Sequence, residues 1–203
     1  MLRNWINSKG KNYLIGSTNI EFMNSLNTIL IILDLQERLI SRIDNKKLIV
    51  WNSEKLIDSA KIMGLEVLST EQNPMKLGHN IQSIQEKVGT ASIPKMEFSC
   101  NNNKELNRRL EESEIRNIVL CGVETHICIQ QSAIGFLSSG YNVYIAVDAV
   151  GSRRTGDHET SIKELRSIGA RIYSTEAIMF EWCKTSDRKE FKSISNIAKK
   201  SLP

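Results

Sequence analysis

Aromatic residues make up only 6% of the chain, and no apolar run approaches the ~20 residues that cross a bilayer. A membrane-spanning protein is therefore not expected, and there are few aromatic platforms on which nucleic-acid bases could stack. The cysteines Cys100, Cys121, Cys128 and Cys183 lie far apart, with no CxxC pair, no His-rich partner and no signal-peptide core. That spacing suggests neither a disulfide framework nor a zinc site. It fits a reduced, cytoplasmic setting. Repeats and Pro- or Gly-rich linkers are absent too, which excludes solenoid and multidomain-linker organisation.

What is present is a soluble globular composition, 40% hydrophobic and 25% charged. At about 150 residues per domain, 203 residues suit one α/β domain with tails. The net charge of +4 is unevenly placed. Residues 184–203 carry six basic and two acidic side chains and residues 1–27 three and one, so the middle is slightly acidic. Nucleic-acid binding wants a basic face on the folded body, and this distribution argues against it. We divide the chain into an N-terminal extension (1–27), a domain (28–183) and a basic C-terminal tail (184–203). Arg3, Lys9 and Lys11, with no acid before Glu21, also carry one feature of an organellar presequence.

From Thr28 onward, short apolar runs alternate with amphipathic stretches, the pattern of βαβ units. The run "TILIILD" (28–34) reads as a parallel strand buried on both faces. Further strands are expected over 65–70, 117–122, 142–149 and 170–175, and helices over 48–63, 104–113, 128–139 and 158–168. Gly64, Gly140 and Gly169 each stand between a helix and the next strand. The expected fold is a doubly wound α/β domain, a mostly parallel sheet with helices on both faces. Ligands of such sheets bind outside the carboxyl ends of the strands. Asp34, Gln36, residues 70–74, 122–128 and 148–154 should then face one site.

Cys128 falls at the first turn of an expected helix, where free N–H groups and the helix dipole favour a thiolate. It reads either as a nucleophile or as a small core residue. Thr125 is placed to cap that helix. Asp34 follows six apolar or β-branched residues and is either a helix N-cap or a carboxylate facing the crevice. Lys95 sits in an extended segment after Pro94, and by itself reads as a solvated lysine. His126, two residues from Cys128, points away from it on any helix or turn.

Six motifs in order, "LDLQERL" (33–39), "TEQNPMKLG" (70–78), "PKMEFSC" (94–100), "GVETHICIQQSA" (122–133), "DAVGSRRTGDHE" (148–159) and "STEAIMFE" (174–181), resemble the isochorismatase-like cysteine hydrolases. The resemblance covers about 28–182. It implies a catalytic triad of Asp34, Lys95 and Cys128, with Asp34 as general base, Lys95 as the stabilising cation and Cys128 as nucleophile. It implies a non-proline cis peptide between Val123 and Glu124, and an oxyanion hole from the amides of Glu124 and Cys128. Gln36, Phe98 and Val123 are the further candidates around the substrate. Lys95 and the helix N-terminus are expected to depress the Cys128 pKa, with Asp34 opposing them.

The nicotinamidase branch of that superfamily binds a metal through an Asp-x-His element, and here the corresponding stretch is 70–74, Thr-Glu-Gln-Asn-Pro. No metal or other cofactor is implied. The expected activity is hydrolysis of a small amide, imide or carbamoyl-type compound through a covalent cysteine intermediate. The alternatives are a non-catalytic oligomeric binding or scaffold protein and a ribonuclease-like RNA-interacting protein. A homo-oligomer is expected, with the apolar stretch 177–182 as a candidate interface.

Overall fold

The computed structural model describes residues 5–6, 12–13 and 23–202. The presequence-like features of the first 22 residues lie outside the described residues, apart from a small antiparallel pair, β1 (Trp5–Ile6) and β2 (Asn12–Tyr13). The main sheet is built from β3 (Thr28–Leu33), β4 (Glu66–Gln72), β5 (Ile93–Lys95), β6 (Asn117–Val123), β7 (Asn142–Gly151) and β8 (Arg171–Tyr173), in the order β5-β4-β3-β6-β7-β8. Every pairing is parallel. The expected doubly wound architecture is observed, and β5 is a strand where the sequence predicts only an extended segment.

Residues alternate between the two faces of each strand, so β3 feeds both halves of the core. Leu30 and Ile32 pack on one side with α1 (Glu37–Ile40), α2 (Lys46–Ile62), α4 (Gln82–Val88), α8 (Thr175–Cys183) and α9 (Phe191–Ala198). Ile29, Ile31 and Leu33 pack on the other with α5 (Lys104–Glu112), α6 (Gln130–Ser138) and α7 (Thr155–Ser167). A short turn of helix, α3 (Pro74–Leu77), comes after β4. The helix-Gly-strand joints close as expected, with Gly64, Gly140 and Gly169 all at positive φ. Among the described residues no helix is long and apolar enough to cross a membrane.

Two readings need correction. Residues 184–203 are not a free tail: α9 buries Ile194 and Ile197 in the core cluster shared with α2 and α8. Its apolar residues recur at helical spacing, and that face outweighs the flanking lysines. The stretch 177–182 likewise spends Ile178, Met179 and Trp182 in the core of the same chain. It does not offer a free apolar face to a second subunit.

Candidate active site

The carboxyl ends of β3, β4, β5 and β6 converge on a buried polar cluster. Asp34 leaves β3 with a left-handed backbone, φ 55°, a region that Asp tolerates better than most residues. The turn is closed by the Gln36 N–H donating to the Asp34 carbonyl at 2.7 Å. Gln36 itself precedes α1 and makes no side-chain cap, so Asp34 is not spent as a helix cap. Its Oδ1 accepts from Thr70 Oγ1 at 2.7 Å, and its Oδ2 lies 2.7 Å from Lys95 Nζ as an ion pair rather than an aligned hydrogen bond. Oδ2 therefore keeps lone-pair capacity for another donor.

Lys95, at the end of β5, is buried and not the solvated side chain its local sequence suggests. Its ammonium donates to Gln72 Oε1 at 2.6 Å and reaches the Glu97 and Phe98 carbonyls at 3.4 and 3.3 Å. Cys128 Sγ lies 3.5 Å away, so one cation touches both the carboxylate and the thiol. Parallel pairing of β4 with β5 sets Gln72 beside Lys95, which puts the amide in place to hold the ammonium.

Cys128 stands in a π-helical turn, Thr125–Ile129, that leads from β6 into α6. The peptide between Val123 and Glu124 is cis. Glu124, not Thr125, precedes the turn; the Thr125 hydroxyl instead meets His158 Nδ1 at 3.0 Å. His126 faces away from the thiol, its Nδ1 2.9 Å from Ser152 Oγ. The Cys128 pKa moves opposite to expectation. Burial pushes it up, and the Asp34 carboxylate adds to this by charge and by hydrogen bonding, against the smaller opposing pull of Lys95. The physical reason is charge balance. A carboxylate, an ammonium and a neutral thiol sum to zero, whereas losing the thiol proton to solvent leaves a buried net negative charge.

The remaining expected residues are distributed differently. Gln36 is fully buried and its amide is committed to the backbone: Oε1 accepts from the Gln72 N–H at 2.8 Å, and Nε2 donates to the Gln72 and Gly78 carbonyls. It holds the end of β4 in place. Val123 is buried, and Phe98 is half-exposed. Glu124 has its carboxylate tied to the Arg153 backbone N–H at 2.9 Å and to Arg153 Nη1 at 3.0 Å. Asp148, expected at the site, accepts instead from the N–H and hydroxyl of Thr175 at the start of α8. The extra residues of β7 opposite Leu120–Gly122 carry it there. Thr70 and Gln72 lie two apart on β4, and that spacing is the sequence signal that both project from the same face of the sheet.

The isochorismatase domain family model matches residues 28–177. The chain belongs to the isochorismatase family. Isochorismatase domain-containing protein 1 of Danio rerio is 34% identical over 171 residues, 84% of this chain but 60% of that protein. This chain thus matches less than two thirds of that relative's length. The solved structure of the MAR1 ribonuclease from Caenorhabditis elegans superposes with a TM-score of 0.85 at 31% identity, covering 90% of this chain and 95% of that one. The YcaC gene product of Escherichia coli, described as an octameric hydrolase of unknown specificity, gives 0.80 at 15% identity over 89% and 91%, a likeness of fold alone.

Proposed function

We propose that the protein is a metal-independent cysteine hydrolase acting on a small amide, imide or carbamoyl-type compound. The observation that carries this reading is the contact of one buried ammonium, Lys95, with both the Asp34 carboxylate and the Cys128 thiol. In the proposed cycle the thiol proton passes to Asp34, and the sulfur attacks the substrate carbonyl carbon. The C–S bond forms while the carbonyl electron pair moves onto oxygen, stabilised by the backbone amides of Glu124 and Cys128. The pair then returns, the C–N bond breaks, and the leaving nitrogen takes the proton from Asp34. Water, deprotonated by Asp34, attacks the thioester, the C–S bond breaks, and Asp34 returns the proton to sulfur.

The proton thus circulates within a cluster whose net charge stays constant, which avoids the cost of burying an uncompensated charge. The donor set around 70–74 supports a reaction without metal. Thr70 serves Asp34, Gln72 serves Lys95, and the Glu71 carboxylate is taken by the Asn80 N–H and His79. A panel of small amides and aldehydes, followed by mass spectrometry, tests the proposal. A Cys128 adduct that is absent from Cys128→Ala is expected. Turnover that survives in Cys128→Ala sinks it.

We further propose a homo-oligomer in which the edge at β4 and β5 is covered, since Met75, Met96 and Phe98 there are 95%, 65% and 50% exposed. Light scattering giving only the 23.0 kDa mass at micromolar concentration counts against it. The ribonuclease name of the C. elegans relative makes RNA the competing substrate. Because α9 is part of the core, salt-dependent RNA binding is tested with Lys199→Gln and Lys200→Gln rather than by deletion.

A further inference from the structure

We infer that the cleft lined by Arg38, Arg42 and Glu124 is a subsite for an oxyanionic group of the substrate, a carboxylate or phosphate, held by the two arginines. The inference rests on the hydrolase reading and narrows its substrate to small anionic amides. The cleft has a volume of about 430 Å³ and is lined by Arg38, Leu39, Arg42, Leu77, Glu124 and Arg153 among others. It adjoins both reactive segments along the chain: Arg38 lies four residues after Asp34, and Glu124 four before Cys128.

The charge of this cleft is not balanced from within. Glu124 is the only carboxylate among its described lining residues, and both oxygens are taken by Arg153. Arg38 is anchored by donating Nη1 to the Lys76 carbonyl, a neutral partner that leaves most of its N–H groups available. The Arg42 side chain has no hydrogen-bond or ionic partner among the described residues. The nearby carboxylates face elsewhere: Glu37 lines the groove against α2, and Asp44 lines the separate cleft at Ser152 and His158. Arg38 lies in α1 and Arg42 in the turn just beyond it, and both line the cleft, so two like charges share it and repel. An oxyanion bridging two guanidinium forks relieves that repulsion with charge-assisted bonds. Leu39 and Leu77 supply apolar wall for the body of the molecule.

Iodoacetate and iodoacetamide form a matched pair of thiol reagents, one anionic and one neutral, and the ratio of their rates at Cys128 reads the subsite directly. In the full-length protein, Arg38→Gln/Arg42→Gln is expected to lower the iodoacetate-to-iodoacetamide ratio by about tenfold or more, with the iodoacetamide rate nearly unchanged. Protection against iodoacetate by added acetate or by inorganic phosphate tells which oxyanion the site prefers. An unchanged ratio overturns the subsite while leaving Cys128 as the nucleophile. If turnover survives in Cys128→Ala, the hydrolase reading is what fails. The subsite is then judged in Cys128→Ala, whose melting temperature should rise with phosphate or acetate only while both arginines are present. No arginine-dependent rise with either anion overturns it.

Discussion

Lys95 Nζ lies 2.7 Å from Asp34 Oδ2, with both side chains sealed from solvent. The pair has no water to screen it, so each charge depends on the other and on Thr70 and Gln72 for its solvation. Removing one partner of such a pair typically costs about 3–5 kcal/mol, because the other is left buried and uncompensated. The third member of the cluster, the Cys128 thiol, has its pKa raised first by burial and then by Asp34, against the smaller pull of Lys95.

Asp34→Asn should therefore separate reactivity from turnover. Losing the anion that raises the Cys128 pKa leaves a thiolate free to pair with Lys95, so alkylation at pH 7 should quicken by about tenfold for each pH unit by which the pKa falls. Hydrolysis should be lost, because no base remains to move the proton. Lys95→Met should do the reverse, slowing alkylation and lowering stability. Timed iodoacetamide labelling with peptide mapping checks both; an Asp34→Asn protein that labels more slowly than native contradicts the charge account.

Gln36 is expected to matter for stability before it matters for substrate. Gln36→Leu keeps the volume but leaves the Gln72 N–H and carbonyl and the Gly78 carbonyl without their partner. At about 1–3 kcal/mol for each buried group left unpaired, a loss of at least about 3 kcal/mol is expected in urea denaturation. A loss under about 1 kcal/mol would mean that water replaces the amide.

Gly122 brings β6 against β3 just before the two strands deliver Cys128 and Asp34. Its φ is 114°, and a Cβ there would sit 2.0 Å from the Leu33 carbonyl oxygen. Gly122→Ala should be poorly folded or should lose Cys128 labelling with a large fall in melting temperature. Gly156→Ala, in α7 with nothing within 4 Å of the added carbon, should be neutral or gain about 0.5–1 kcal/mol. Equal behaviour of the two variants in thermal melts would refute the close-approach argument.

Alkaline pH should expose the cost of the buried thiols. Burial pushes Cys100 and Cys121 up to about 12, while unfolded cysteines ionise near 8.5. Between roughly pH 9 and 12 the unfolded chain has released protons that the folded chain still holds, so stability falls as pH rises. The slope approaches about 1.4 kcal/mol per pH unit for each such cysteine and vanishes below the unfolded pKa. Urea titrations at pH 8 and 10.5 should show a smaller drop for Cys121→Ala than for the native chain. An identical drop would remove Cys121 from the account.

The strand runs, the helix-Gly-strand joints, and the placement of Asp34 at a strand end and of Cys128 at a helix start were legible from the sequence, because they reflect short-range periodicity and backbone preference. The largely β-branched run from Thr28 to Leu33 reads as a strand buried on both faces, which places Asp34, directly after it, at the carboxyl edge. Family resemblance extended this to Lys95, whose local sequence looks solvated. Tertiary structure alone decided the rest. That Lys95 is buried and held by Gln72, that burial together with Asp34 outweighs Lys95 and raises the Cys128 pKa, that Gln36 serves β4, and that α9 closes the core all depend on groups from distant segments meeting where water is excluded. Burial and charge act through space, so their sign at a given residue is set by neighbours that periodicity along the chain does not specify.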